Sequence, residues 1–195
     1  MENRNFIIGI TGGSGCGKTT LLGCIRELGG VVLDCDAIYH RLLQTDPQLL
    51  EAIEARFPGV VENGQLQRKK LGAIVFSDEK ALADLNRITH SAVKAEVLRC
   101  LPREGLAAID AIGLFEGGLS ELCHTTVAVT APKADRVARL MARDGISQEY
   151  AQKRIEAQRS NEEFSALCAH TLENDGDICA FRAKCLAFLA NLSIM

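Results

Sequence analysis

The sequence GGSGCGKT at residues 12–19 fits the pattern G-x-x-x-x-G-K-[ST] in full, and it decides the fold. The apolar run FIIGI at residues 6–10 precedes it and is typical of a buried parallel strand. Residues 18–28 follow it with a helical pattern that ends at two glycines. Glycines let backbone N–H groups turn inward around phosphate oxygens, and the helix N-terminus adds partial positive charge. The strand, loop and helix therefore predict a phosphate-binding loop (P-loop) for a nucleoside triphosphate, and we expect ATP.

Individual residues of this loop have distinct expected roles. We expect the Lys18 ammonium group to reach the β- and γ-phosphates and the Thr19 hydroxyl to ligate Mg²⁺, which makes magnesium the expected cofactor. Cys16 lies inside the loop, and an exposed thiol at a helix N-terminus tends toward a lowered pKa, which predicts a spot sensitive to oxidation. The residues of this segment expected to contact the nucleotide are Gly13, Ser14, Gly15, Cys16, Gly17, Lys18, Thr19 and Thr20.

Composition limits the classes of partner. The 195 residues are 47% hydrophobic and 24% charged, which is ordinary for a soluble globular protein. A net charge of −3 gives no general attraction to nucleic acid or anionic membranes, so we expect neither partner. The start has no signal-peptide pattern, and the eight cysteines are scattered without a C-x-x-C pair. We expect a cytoplasmic protein with free thiols, as a monomer or weak homo-oligomer.

The rest of the chain alternates between strand and helix patterns. Further strands are predicted at residues 31–33, 106–112, 125–130 and 171–174, with helices between them. This alternation predicts an α/β fold with a parallel sheet flanked by helices. Residues 37–101 have helical patterns and no strand pattern, so we predict a helical lobe inserted in the core. The core comprises residues 1–36 and 102–195, with a helical lid at about 139–160, in one compact unit.

Acidic residues follow two of the predicted strands. Asp34 and Asp36 end the second strand, and Asp36 is the better candidate for a base that deprotonates an attacking hydroxyl. Two residues apart on extended backbone, both side chains would share a face, although either could instead cap the next helix. Asp110 could hold a magnesium-bound water or simply cap the following turn. Residues 110–113 also fit the D-x-x-G pattern of GTPases, but the guanine-reading N-K-x-D sequence is absent from the chain.

Arginines form a second group, after Pro132. Arg136, Arg139 and Arg143 have i, i+3 and i+7 spacing, so we expect them on one helix face, with Arg154 on the next helix. Paired helices with arginines suit a lid that closes over ATP, neutralises the transferring phosphoryl group and excludes water. The alternative for each arginine is a solvated helix face, and it is strongest for Arg136.

Seven blocks of sequence, in order, resemble one family, dephospho-coenzyme A kinase. They span about nine-tenths of the chain, and the second and the sixth are the most specific. The blocks are GITGGSGCGKTT (residues 9–20), DCDAIYHRLL (34–43), LQRKKLGAIVFSD (66–78), NRITHS (86–91), AAIDAIGLFE (107–116), RDGISQEYAQKRIEAQ (143–158) and HTLENDG (170–176).

The resemblance implies transfer of the ATP γ-phosphate to the ribose 3′-hydroxyl of dephospho-CoA, the last step of coenzyme A synthesis. It implies that Asp36 is the base, that the helical lobe holds the acceptor, and that Arg139 and Arg143 contact ATP. Lys18 and Arg143 are expected to be catalytic with Asp36. Four residues fall in blocks that resemble the acceptor side: His40, Arg68, His90 and Glu116.

Two positions depart from the family pattern. Ser91 follows the histidine where the family usually has proline, and Ile112-Gly113 stands where it usually has proline and leucine. Loss of proline and gain of glycine loosen the backbone beside the expected acceptor pocket. Two further readings stay open: a kinase for another small alcohol, and a module that binds ATP without transferring phosphate.

Overall fold

A five-stranded parallel sheet forms the centre of the molecule. The structure is a computed structural model, which describes residues 4–192. The strand order is β2-β5-β1-β6-β7, so β1, the strand before the P-loop, is central. The strands are β1 (Arg4–Thr11), β2 (Val31–Asp34), β5 (Glu104–Asp110), β6 (Thr125–Thr130) and β7 (His170–Glu173). The predicted α/β class with a parallel sheet is confirmed.

Helices cover both faces of the sheet, which explains why its strands read as continuous apolar runs. Because side chains alternate along a strand, Ile7 packs on one face while Ile8 and Ile10 pack on the other. The face with Ile8 is covered by α1 (Lys18–Glu27) and α9 (Ile178–Asn191). The other face is covered by the helices that follow β2.

The helices that follow β2 are α2 (Cys35–Thr45), α3 (Pro47–Arg56), α4 (Arg68–Val75) and α5 (Glu79–Cys100). The expectation of no strand in residues 37–101 is wrong, because a hairpin pairs β3 (Val61–Glu62) with β4 (Gln65–Leu66). Asn63 turns this hairpin with a φ of 50°. Strands of two residues are too short to show an alternating pattern. In the sequence, only the turn residues Glu62-Asn63-Gly64 indicate the hairpin.

Three further helices follow β6: α6 (Lys133–Asp144), α7 (Gln148–Glu156) and a short α8 (Asn161–Leu167). The stretch predicted as a lid, about residues 139–160, covers the second half of α6 and all of α7. Gly145 ends α6 with a φ of 65°, a left-handed conformation that glycine adopts without strain. The division of the chain into core, lobe and lid stays a prediction. Within residues 4–192, each helix is too short or too polar to pass through a lipid bilayer.

Candidate active site

A cleft opens at the carboxyl end of the sheet, where the P-loop leaves the central strand. Strand register places Asp34 beside Asp110 and Ile10 on the other side of Asp110, so three strand ends meet there. A cavity of about 660 Å³ lies over this edge. It is lined by Gly13, Ser14, Gly15, Cys16, Gly17, Lys18, Thr19, Asp36, Asp110, Ile112, Arg139, Leu140, Ala142, Arg143 and Arg154. The cleft therefore unites residues predicted from three separate parts of the sequence, although Thr20 is not among its lining residues.

Lys18 and Asp110 face each other in this cleft. The Lys18 ammonium group donates to the Gly12 carbonyl at 2.9 Å and lies 4.0 Å from Asp110 Oδ1. Burial raises the pKa of Asp110 to about 6, against the lowering effect of Lys18 and with a further rise from Asp34 and Asp36. Asp110 Oδ1 is buried and has no hydrogen-bond partner in the described structure. A carboxylate oxygen without a partner in such a place can accept a bound cation or an ordered water.

The oxygen donors in the cleft fit Mg²⁺. Asp110 offers its unpartnered carboxylate oxygen, and Thr19 offers a hydroxyl near the start of α1. Among the described residues, no group of three or more His, Cys, Asp or Glu side chains could hold a metal by itself. A site with few protein oxygens matches Mg²⁺, which usually keeps waters and binds substrate phosphates in kinases.

Asp34 and Asp36 have different surroundings. Asp34 caps α2, and its Oδ1 accepts the Ala37 backbone N–H at 2.9 Å. Asp36 lies in the first turn of α2 and lines the cleft. The expectation of two side chains on one face of an extended segment is wrong, because the helix begins at Cys35. Capping accounts for Asp34, so of these two aspartates Asp36 is the one that lines the cleft.

A second, smaller cavity adjoins the cleft at Asp36. Its volume is about 230 Å³, and its lining is mostly apolar or aromatic, with His90 and the departure residues Ile112 and Gly113 among the walls. The full lining is Cys35, Asp36, Tyr39, Leu85, Asn86, Thr89, His90, Val93, Ala111, Ile112, Gly113, Gly117 and Leu119. Since Asp36 belongs to both cavities, it stands at their junction.

The other predicted acceptor residues lie around this second cavity and do not line it. Arg68 Nη2 is 3.3 Å from His40 Nδ1, and His40 is one helical turn after Asp36 on α2. Glu116 forms an ion pair of 2.7 Å with Arg159, which comes just after α7. Sequence reasoning missed Arg159, because an ion pair between residues 43 positions apart leaves no local pattern.

The arginines of α6 do not share one role. Arg136 is only 3% exposed, and its Nε donates to the Ser14 carbonyl at 3.0 Å. Arg139 Nη1 donates to the Gly15 carbonyl at 3.2 Å. Arg143 is exposed and pairs with Asp144 at 2.7 Å. The solvated-face alternative is therefore wrong for Arg136, because this side chain is buried against the P-loop. Arg136 and Arg139 contact adjacent loop carbonyls, as residues on one helix face can.

Asp144 pairs with two arginines, one on α6 and one on α7. It accepts from Arg143 and, at 2.6 Å, from Arg154. These hydrogen bonds, the one from Arg143 first, lower the pKa of Asp144 to about 2. Arg143 and Arg154 both line the cleft, so this pairing holds two cationic side chains in the cavity that the P-loop also lines.

Two amide side chains that the sequence did not single out also hold the P-loop. Gln158 contacts Ser14, and the buried Asn174 donates to the Cys16 carbonyl at 2.9 Å. The Cys16 side chain is 1% exposed, and burial raises the pKa of its thiol. The expectation of an exposed, acidic thiol is therefore wrong, because the loop turns this side chain into the core. Gln158 lies in the R-I-x-A-Q block, but contacts across more than 140 positions cannot be read from spacing.

Known proteins resemble this chain over almost its full length. The family model described as dephospho-CoA kinase matches residues 6–180. A dephospho-CoA kinase of Moorella thermoacetica is 35% identical over 187 residues, covering 92% of this chain and 88% of that protein. The crystal structure of TT1252 from Thermus thermophilus has a TM-score of 0.77 at 35% identity, covering 97% of this chain and 99% of that one. Dephospho-CoA kinase from Campylobacter jejuni has a TM-score of 0.67 at 25% identity, covering 97% and 98%.

Proposed function

The chain belongs to the dephospho-CoA kinase family, and from this premise we propose how its residues perform the reaction. The enzyme transfers the γ-phosphoryl group of ATP to the ribose 3′-hydroxyl of dephospho-CoA and releases coenzyme A and ADP, the final step of coenzyme A biosynthesis. The observation that carries the proposal is the position of Asp36, which lines both the P-loop cleft and the adjoining cavity. A base at this junction can reach a hydroxyl bound on one side and a phosphate bound on the other.

The P-loop side of the junction holds the triphosphate. Backbone N–H groups of the loop and of the start of α1 surround phosphate oxygens. The Lys18 ammonium group leaves the Gly12 carbonyl and binds phosphate oxygens instead. Thr19 and Asp110 would hold Mg²⁺, Asp110 through a water. The ion, when bound, neutralises the charge that develops on the phosphates. Arg139 and Arg143 contact ATP from helix α6.

Phosphoryl transfer then needs one proton acceptor and compensating positive charge. The 3′-hydroxyl oxygen forms a bond to the γ-phosphorus while Asp36 accepts the proton of that hydroxyl. The bond from the γ-phosphorus to the bridging oxygen of ADP breaks at the same time. Lys18 and Arg143 stabilise the charge on the transferring group. Arg143 pairs with Asp144 in this structure, so it exchanges a carboxylate for a phosphate when the lid closes and excludes water.

The acceptor occupies the side of the junction formed by the helical lobe. We assign its contacts to Asp36, His40, Arg68, His90 and Glu116. Support comes from His90 in the wall of the second cavity and from the pair of His40 with Arg68 one turn beyond the base. A guanidinium group beside an imidazole suits the phosphate-bearing part of the acceptor.

The setting of the enzyme is also part of the proposal. We place it in the cytoplasm, as a monomer or weak homo-oligomer without nucleic acid or membrane as a partner. All eight cysteines are free thiols, which suits a reducing compartment. Light scattering of the purified protein tests the oligomeric state, and a stable, tight oligomer would contradict this part.

Asp36→Asn tests the base, and Asp34→Asn is its matched control. Asparagine caps a helix as well as aspartate, so we expect Asp34→Asn to keep kcat within about threefold. Asp36→Asn should lower kcat by about 10²- to 10⁴-fold, while ATP binding measured by calorimetry stays within about threefold. Product formation is followed with magnesium-ATP and dephospho-CoA. Full turnover of the Asp36→Asn enzyme would refute the base assignment, and absence of dephospho-CoA-dependent ADP formation by the unsubstituted protein would refute the function.

A further inference from the structure

Ser14, the third residue of the P-loop motif, is held on three sides by side chains from the lid region. Its backbone N–H donates to Gln158 Oε1 at 2.8 Å, and its hydroxyl accepts from Gln158 Nε2 at 2.8 Å. Its carbonyl accepts from Arg136 Nε at 3.0 Å. Both backbone polar groups and the side chain of one loop residue are therefore fixed by two distant residues.

Arg136 connects these contacts into one network. Its Nη2 donates to Gln158 Oε1 at 3.2 Å, and its Nη1 donates to Asn161 Oδ1 at 3.4 Å. Asn161 is anchored in turn, because its Nδ2 donates to the Ala131 carbonyl at 2.9 Å. The network thus joins the end of β6, helix α6, the segment after α7 and the P-loop. We call Ser14, Arg136, Gln158 and Asn161 the loop clasp.

At Gly13 and Gly15 the loop backbone approaches the clasp so closely that a Cβ atom would clash. A Cβ atom at Gly13 would lie 2.1 Å from Arg136 Nη2 and 3.1 Å from Gln158 Oε1. A Cβ atom at Gly15 would lie 2.8 Å from the Arg136 carbonyl oxygen. These glycines serve the contact with α6 as well as the turn around phosphate. The loop and the base of the lid are therefore packed as one unit.

The clasp lies where the two lid helices join the core. Arg139 and Arg143 follow Arg136 on α6 by about one and two turns, and both line the cleft. Gln158 comes just after α7, which carries Arg154 into the same cleft. Movement of Ser14 relative to either helix would change the distance between the loop's N–H groups and the arginines. Both groups must meet the same triphosphate.

We propose that Gln158 is a positioning residue for phosphoryl transfer, which acts through Ser14 to hold the P-loop in register with the lid arginines. The inference rests on the proposed function and adds a residue to it. Gln158 is partly exposed, and both polar atoms of its side chain contact Ser14 of the loop. A misplacement of about 1 Å in such a site can cost about 100-fold in rate, because transition-state contacts depend steeply on geometry.

Gln158→Ala tests the proposal, with Gln152→Ala on α7 as a matched control. Gln152 lines a groove against α6 and has no place in the proposed mechanism. We expect Gln158→Ala to lower kcat by about 10- to 100-fold, with the KM for dephospho-CoA within about threefold and the melting temperature within a few degrees. Gln152→Ala should keep kcat within about twofold.

A double substitution distinguishes action through Ser14 from an independent effect. Ser14→Ala removes the hydroxyl that Gln158 Nε2 contacts. If Gln158 acts through Ser14, the double variant should lose less kcat than the product of the two single losses, because both substitutions break the same contact. The proposal would be overturned if the losses in kcat of the two single variants multiplied in the double variant. A Gln158→Ala enzyme with kcat within twofold of the parent would also overturn it. So would a Gln158→Ala enzyme with a lowered melting temperature whose kcat returns to the parent's value at temperatures well below it, because its loss of activity would then come from unfolding. An inactive parent enzyme would instead refute the proposed function.

Discussion

Replacement of Asp110 by asparagine is expected to change the stability of the protein in a way that depends on pH. Asp110 is the buried carboxylate of the cleft, with 16% of its side chain exposed. Asparagine has nearly the same shape but no charge to desolvate. The variant therefore removes the cost of burying the ionised carboxylate, and that cost exists only where the group is ionised.

The size of the effect follows from the shift in pKa. The folded pKa of about 6 lies above the ordinary aspartate pKa of 3.8, so the folded state binds a proton more tightly than the unfolded state does. Stability contributed by the protonated form is present below the unfolded pKa and is lost as pH rises toward the folded pKa. A shift of roughly two units corresponds to about 3 kcal/mol in full. About 2 kcal/mol of this change should fall between roughly pH 4.5 and pH 7.

Urea unfolding of the parent and of Asp110→Asn, at both pH values and with EDTA to remove magnesium, measures this quantity. We expect the stability of the variant relative to the parent to rise by about 2 kcal/mol from pH 4.5 to pH 7. A buried amide without a partner lowers the stability of the variant by an amount that does not depend on pH, so it cancels in the comparison.

Two results would refute this reasoning about Asp110. A difference in unfolding free energy that stays constant across the two pH values would mean that the carboxylate is not destabilised by burial. A difference that moves in the opposite direction would mean that Lys18, 4.0 Å away, outweighs desolvation and holds the pKa below its ordinary value.

Three further predictions follow from the contacts of the cleft. Gly13→Ala should lower kcat by at least about tenfold, since its methyl group would lie 2.1 Å from Arg136 Nη2; steady-state kinetics at parental activity would contradict it. Arg159→Met should raise the KM for dephospho-CoA by about 2- to 10-fold with little change in the KM for ATP, because it removes the ion pair to the acceptor-side glutamate; an ATP-specific effect would argue against that placement. Cys16 should be alkylated by iodoacetamide at least about tenfold more slowly than the exposed Cys179 in the folded protein, as peptide mass spectrometry can measure; equal rates would show that the loop opens readily.

Chemistry carried by neighbouring residues was predictable without a structure. The motif from Gly12 to Thr19 binds phosphate with the backbone of a single loop. Its presence therefore predicts the strand before the loop and the helix after it. The alternation of strands and helices then predicts a parallel sheet, because crossover helices must cover both faces. The same order of motifs indicated the family, and the comparisons confirm it.

Local geometry at the boundaries of elements was less predictable. Whether Asp34 or Asp36 caps the helix depends on a helix start at Cys35, a difference of one or two residues. A start two residues later would have made Asp36 the capping residue. The hairpin at Asn63 escaped prediction because two-residue strands carry no periodicity.

Tertiary structure alone decided which side chains hold the P-loop. Along the chain, Arg136 and Arg139 are equivalent members of one arginine series, yet one is buried beneath Ser14 and the other lines the cleft. Gln158 and Asn174 reach the loop across 144 and 158 positions. Spacing within a helix reports which residues share a face, but not what packs against that face. The motif therefore determined that a triphosphate binds, and the packing of α6 and the segment after α7 against it decided how the loop is held.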